Sequence, residues 1–339
     1  MTAMVGAFAR SIQINASLIV PPIWGWTSAK ACTARDHTCY FGLLHNCTPA
    51  AGAVVHGPEY NTSADMQAGQ KDQGLAWAKR GHRWDQLQPL FPALTPFRIS
   101  AELLAYLMQP NPQVNRDVQA ALKALGADEL PRPILAVHVR HGKGGRDGTE
   151  TVNTTRYIEA MELMRMKHGF QTVLLMTDSR SPVEEIKAHI SRTRAAGDGF
   201  AALVSLDLPE QTVTSWRGGG GKHDAAAGVA RNNDNACTIA MHCLLNLLVV
   251  QQIAGGLVSA LNSHFAQNTL QLMYAGLGVL PPNLSVDLFY TKEDGSNCWQ
   301  GIMCDYGVSK YGKWKPLAPS RKIFGKLGTY VELLPEGNR

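Results

Sequence analysis

With 339 residues, 45% of them apolar and 17% charged, the chain has enough hydrophobic material for two ordinary domains or one large one. Its net charge of +5 is scattered rather than gathered in runs, which disfavours nucleic acid and suits an anionic small ligand. The most apolar stretch, Leu244 to Leu261, is interrupted by Asn246, Gln251 and Gln252, so it reads as a buried helix and strand rather than a membrane span.

Residues 3–13 have helical periodicity, and Ser17 to Val20 has the makings of a short strand stopped by Pro21-Pro22. The first ten residues lack the basic start and apolar core of a signal peptide, and opening in mid-unit suggests that an amino-terminal part is missing. From Trp24 to about Tyr60 the chain is rich in Trp, Cys, Gly and Pro and reads as irregular; residues 61–82 are polar and exposed in expectation. After a Pro-rich link at 89–96, a helix is expected from about Ile99 to Met108, ending before Pro110. A second helix carries Val114, Val118, Ala121, Leu122 and Leu125 on one face and stops at Gly126.

From residue 131 the pattern alternates. Ile134 to Val139 is a β-branched apolar run suited to a strand buried on both faces of a parallel sheet. Thr155 to Lys167 follows as a helix closed by Gly169, and Thr172 to Met176 as a strand. Ser181-Pro182-Val183-Glu184 has the form of a capping box opening a helix. Phe200 to Leu206 is a third strand candidate, and residues 207–235, with Gly218 to Gly221, form a long loop. Thr238 to Ile253 reads as helix, Leu257 to Ala260 as strand and His264 to Tyr274 as helix. Strand-helix alternation of this kind specifies an α/β fold with a Rossmann-like parallel sheet over 131–280. Residues 281–339 have no assignable role.

The chemistry gathers where strands should end. Arg140, His141, Lys143 and Arg146 follow the Ile134 run in a glycine-opened loop that also carries Glu150. Open α/β sheets bind ligands at the carboxyl ends of their strands, and this loop suits an anion. Asp178, after the second strand, serves equally as a turn residue or a ligand contact. Ser263 and His264 open a helix whose N–H groups can hold phosphate, though plain capping would also place them there. The run Gly218 to Lys222 lacks the spacing and hydroxyl of a phosphate loop, and no Gly-x-Gly-x-x-Gly occurs. Neither histidines at ligand spacing nor an Asp-x-Asp pair is present, so no metal site is expected.

Seven cysteines fall in three groups, Cys32, Cys39 and Cys47, then Cys237 and Cys243, then Cys298 and Cys304. None has zinc-binding spacing; local disulfides are compatible with the outer groups, and the odd count leaves one thiol over. Glycosylation sequons at Asn15, Asn46, Asn61, Asn153 and Asn283 lean toward a secretory compartment.

Several of these stretches, in order, resemble the GDP-fucose-dependent fucosyltransferases, most closely the core α1,6-fucosyltransferases of N-glycans (the GT23 type). The resemblance rests on the fifteen-residue run from Arg98 to Pro112, on Leu122 to Gly126, His138-Val139-Arg140 and Gly148-Thr149-Glu150, and on Leu175 to Asp178 and Leu257 to His264. Ile19 to Trp24 and Cys39-Tyr40-Phe41 are similar to the family's amino-terminal half. It implies a two-domain, GT-B-like core: an amino-terminal α/β half at 1–97, linking helices at 98–130, and a GDP-fucose-binding domain at 131–280. It also implies an inverting, metal-independent transfer of L-fucose from GDP-L-fucose to a glycan or glycoprotein acceptor in the Golgi or another secretory lumen. Carried over by position, His138 contacts the nucleotide, Arg140 the β-phosphate, Glu150 is the general base and Ser263 holds phosphate. The family's second arginine is His141 here, its lysine is matched by Lys143 or Arg146, its glutamine by His264, and its guanine-reading aspartate by Leu247 beside Asn246. A peptide O-fucosyltransferase, or an inactive relative that binds a GDP-sugar or glycan, is the alternative.

Overall fold

The computed structural model describes residues 37–42, 94, 96–139, 152–177, 179–206, 233–261, 263–286, 314–317 and 330–333. The expected helix at 3–13, the strand at 17–20, the sequons at Asn15, Asn46 and Asn61 and the glycine run at 218–221 lie outside these residues. The chain divides into two compact units: residues 1–93, 103–119 and 208–245, and residues 94–102, 120–207 and 246–339.

In the first unit the described residues centre on Asn111. Its Oδ1 accepts the Val114 N–H at 2.8 Å, capping a helix whose first residue is proline, α2 (Pro112–Ala124). Its Nδ2 donates to the Thr38 carbonyl at 2.8 Å, beside a short 3-10 turn at His37–Cys39. A β-bridge joins Phe41 to Pro110, and Gly42 N–H bonds the Gln109 carbonyl at 2.8 Å. Cys39 is disulfide-bonded, and Cys243 is exposed. The preceding helix, α1, runs from Pro96–Leu107, and Val114 and Val118 are the fully buried residues of α2, as the spacing of its apolar positions requires.

The second unit is an α/β sheet. Its parallel strands are β1 (Ile134–Val139), β2 (Thr172–Thr177), β3 (Ala202–Ser205), β4 (Gly256–Ser259) and β5 (Asn283–Ser285). Two carboxy-terminal strands, β6 (Trp314–Leu317) and β7 (Tyr330–Leu333), add antiparallel to the β5 edge. The order is β3-β2-β1-β4-β5-β7-β6. The chain thus builds outward from β1 to β3, then returns to lay β4 on β1's other side.

Pleating sorts the side chains into two layers. Leu135, Val137 and Val139 share one face with Val173, Leu175, Val258 and Leu284, in register across four strands. That face is covered by α3 (Thr154–His168) and, over β2, by α4 (Arg180–Ala195). Tyr157, Ala160, Met161 and Met164 recur at three- and four-residue spacing on α3 and are fully buried. Burial of each large apolar side chain is worth about 1.5–3 kcal/mol, so this layer is a main source of stability. The opposite face carries Leu174, Met176 and Leu257, all buried, and ends in polar residues.

Helix boundaries follow local chemistry. Asn153 caps α3, its Oδ1 accepting the Thr155 N–H at 2.9 Å. Gly169 closes it at φ 71°, as expected, with Arg165, Lys167 and His168 in the last turn facing the negative end of the helix dipole. The capping box expected at Ser181 does not form. The helix already begins at Arg180 with Ser179 as its cap, and the Ser181 hydroxyl bonds the Glu185 carboxylate at 2.7 Å instead. The next described helix, α5 (Asn233–Ile253), starts before the expected Thr238, because its polar first turn shows no apolar periodicity. β3 is shorter than expected, with Phe200 tucked into the core just ahead of it. Among the described residues no helix is long and apolar enough to cross a membrane.

On the outer side of α3 the Glu162 carboxylate accepts from His189 Nε2 at 2.8 Å and from Arg165 Nε at 2.7 Å. Arg165 also reaches Asp198 at 2.8 Å. Burial works against the guanidinium's charge, but the hydrogen bonds and charges of Glu162 and Asp198 outweigh it and raise its pKa.

Candidate functional site

The carboxyl ends of β1 and β4 form the chemically distinctive corner of the sheet. These two strands lie side by side where the strand order reverses. In doubly wound sheets the loops diverge at such a point and leave a crevice for a ligand.

Register then sets which side chains meet there. His138 of β1 pairs with Ser259 of β4, and Ser259 with Ser285 of β5, so the three lie in one row on the same face. Both serines are fully buried, whereas His138 is half-buried. The His138 Nδ1 stands 3.0 Å from Ser259 Oγ, and that hydroxyl also lies 3.3 Å from the His138 carbonyl oxygen. One hydroxyl proton serves one acceptor at a time, so two states are consistent. If Ser259 donates to Nδ1, neutral His138 presents an Nε2–H donor to a ligand. If it donates to the carbonyl, Nδ1–H donates to Oγ and a neutral ring presents a lone pair. Phe265 packs on the imidazole with ring centroids 4.6 Å apart and a 37° tilt, which limits its rotation.

The serine on β5 completes the corner by a different route. Ser285 Oγ accepts the Leu261 N–H at 3.2 Å, and Ser259's carbonyl accepts from the Val286 N–H at 3.0 Å. The turn after β4 is held by Ser263 N–H to the Ala260 carbonyl at 2.9 Å and by Gln267 Nε2 to the Leu261 carbonyl at 2.9 Å. It delivers the chain into α6 (His264–Leu277), with Ser263 at the N-cap in an extended conformation. The Ser263 side chain is buried, yet its hydroxyl makes no capping hydrogen bond. A hydroxyl, the first N–H groups of a helix and a neighbouring histidine can together bind an anionic oxygen.

Of the sequence candidates, His138 and Ser263 therefore lie at this corner, with Phe265 and Ser259 linking the helix and strand to the imidazole. His264 is the first residue of α6. Asn246 and Leu247 are buried on α5. Arg140, His141, Lys143, Arg146, Glu150 and Asp178 lie outside the described residues, although β1 ends at Val139, immediately before Arg140. Sequence reasoning missed Ser259, Ser285 and Phe265. The serines had a signal: each is a polar residue that closes a short strand directly after an apolar one, in Leu257-Val258-Ser259 and Leu284-Ser285. The sequon at Asn283 is overturned as a glycan site, because this residue is fully buried in β5 and its Nδ2 donates to the Pro281 carbonyl at 2.9 Å.

No family model and no curated protein matches the chain. Among solved structures, the chain is similar to POFUT1 in complex with GDP, at 10% identity and a TM-score of 0.32. That alignment covers 52% of this chain and 47% of POFUT1, so the chain spans about half of that structure's length.

Proposed function

We propose that the protein is an inverting glycosyltransferase that moves L-fucose from GDP-L-fucose to a glycan hydroxyl. The observation that carries this is the corner itself: His138, Ser259 and the Ser263 cap of α6 converge at the strand-order reversal, and β1 runs directly into Arg140. The ordered resemblance of the chain's motifs to fucosyltransferases supplies the donor's identity.

In this reading the pyrophosphate of GDP sits on the Ser263 hydroxyl and the first N–H groups of α6. His138 contacts the nucleotide, and Arg140 neutralises the β-phosphate as the sugar departs. Fucose leaves through a cationic, oxocarbenium-like transition state while negative charge builds on GDP. A guanidinium in a partly dry site stabilises that charge without reorganising at the moment of reaction. Glu150 takes the acceptor's proton as the new bond forms on the face opposite GDP. Lys143 or Arg146 supplies a further positive charge, and His141 and Asp178 line the donor side. Leu247 stands where the family reads guanine, and Asn246 beside it is the polar group nearest that position in the sequence. No metal is required, since arginine, hydroxyl and helix N–H groups meet the phosphates. The acceptor we assign is the innermost GlcNAc of an N-glycan, in a two-domain core working in a secretory lumen.

The test is release of GDP from GDP-fucose by the purified protein with N-glycan and peptide acceptors in parallel. Turnover on the glycan, abolished by Glu150→Gln, is the expected result. Turnover on the peptide alone would replace the acceptor assignment, and GDP binding without turnover on either would make the protein a binding relative. Arg140→Ala should reduce kcat/KM by about a hundredfold or more, from about 3 kcal/mol of lost transition-state stabilisation. Unchanged kinetics would remove Arg140 from the mechanism.

A further inference from the structure

We propose that Asn153 carries an N-linked glycan. It heads the sequon Asn153-Thr154-Thr155, and both Asn153 and Thr155 are exposed while Thr154 between them is buried. The asparagine has extended backbone angles, φ −61° and ψ 140°, at the cap of α3. Its amide is already sorted by function. Oδ1 accepts the Thr155 N–H at 2.9 Å, which leaves Nδ2 as the group for attachment.

The modification is compatible with the fold because it consumes nothing the cap uses. Nδ2 attacks C1 of an oligosaccharide held on a lipid pyrophosphate; the C1–N bond forms and the C1–O bond to the pyrophosphate breaks. One amide proton is lost and the lipid pyrophosphate leaves with the bonding electron pair. Nδ2 keeps its other N–H, and Oδ1 remains a carbonyl able to cap the helix. The sequon at Asn283 shows the opposite case. There Nδ2 is fully buried and bonded to the Pro281 carbonyl, so a sugar would break the sheet.

The disulfide at Cys39 provides an independent observation, since such bonds persist in the oxidising lumen where this transfer takes place. The proposal rests on passage through that lumen and not on the nucleotide-sugar reading, so each can fail alone.

The experiment isolates the protein from the cells that make it and treats it with peptide N-glycosidase in heavy-oxygen water. Asn153 should be recovered as heavy-oxygen aspartate and Asn283 as unlabelled asparagine. The Thr155→Ala variant, expressed in the same cells, should lose the label at 153 while keeping Asn153's cap. Asn153→Asp should lose the glycan and unfold at the same denaturant midpoint as the enzymatically deglycosylated protein. Recovery of Asn153 wholly unlabelled would overturn the proposal, as would a label that survives Thr155→Ala.

Discussion

Replacing Gly256 by alanine should weaken the sheet while sparing the corner at the carboxyl ends of β1 and β4. Gly256 opens β4 and pairs with Leu135 of β1. A Cβ built on it would overlap Phe170 Cζ and stand 3.0 and 3.1 Å from Cε2 and Cε1. Relief is hard to find, because Phe170 is 2% exposed and belongs to the cluster that includes Val173, Ile186 and Ile190. Overpacking of a filled core costs about 1–3 kcal/mol. Alanine's smaller backbone entropy returns roughly 0.5–1 kcal/mol, which leaves a net loss of about 0.5–2 kcal/mol. Urea unfolding followed by circular dichroism measures it, and Phe170→Leu combined with Gly256→Ala should lose less than the two single changes together. GDP affinity should stay within about twofold, since Ser259 lies three residues along the strand, roughly 10 Å from the change. A Gly256→Ala protein as stable as its parent, with no coupling to Phe170, would refute the packing argument.

Ser263→Ala should lower GDP affinity about tenfold or more, as loss of a hydroxyl donor to a charged group does. Its effect on the free energy of urea unfolding should stay under about 0.5 kcal/mol, against about 1 kcal/mol for an ordinary N-cap, because this hydroxyl caps nothing. Ser259→Ala should weaken GDP binding about three- to tenfold in calorimetry by releasing the His138 ring from its 3.0 Å contact; equal affinity would show that the pair does not orient the imidazole. Glu162→Gln should cost about 1–3 kcal/mol in urea unfolding, since one carboxylate serves both His189 and Arg165 in a mostly buried setting. A midpoint equal to that of the parent would count against the network.

The parallel sheet was legible because its inner strands are buried on both faces and therefore read as unbroken apolar runs. Ile134 to Val139 and Thr172 to Thr177 were recognisable for that reason, as was the helix between them, from its periodicity and Gly169. The misses share one cause. Where a residue's role comes from a partner distant in sequence, local pattern says little. Ser181 has the sequence of a helix cap but sits inside the helix, and its hydroxyl found Glu185 one turn on. Asn283 has the sequence of a glycan acceptor but occupies a three-residue strand defined by its pairing with β4 and β7. The strands β6 and β7 were invisible for the same reason: short and weakly patterned, they are strands by virtue of the edge they join.

The site divides along the same line. His138 was picked out through the family resemblance, carried over by position, and Ser263 also because it precedes a helix. What makes them a pair of interest is register, and register is a property of the pairing between β1 and β4, separated by more than a hundred residues of chain. That pairing puts Ser259 opposite His138 and leaves the imidazole held by a hydroxyl on one side and the Phe265 ring on another. A solvated surface histidine has no use for two such constraints. A histidine that must present one nitrogen in a fixed direction does, because each restricted rotation is entropy already lost before a ligand arrives. The hydroxyl's choice between Nδ1 and the His138 carbonyl then determines whether the other ring nitrogen donates or accepts. For an anionic pyrophosphate the donating state is the productive one. Ser259 thus governs a property that His138 would be credited with, and it could be found only after the strands were paired.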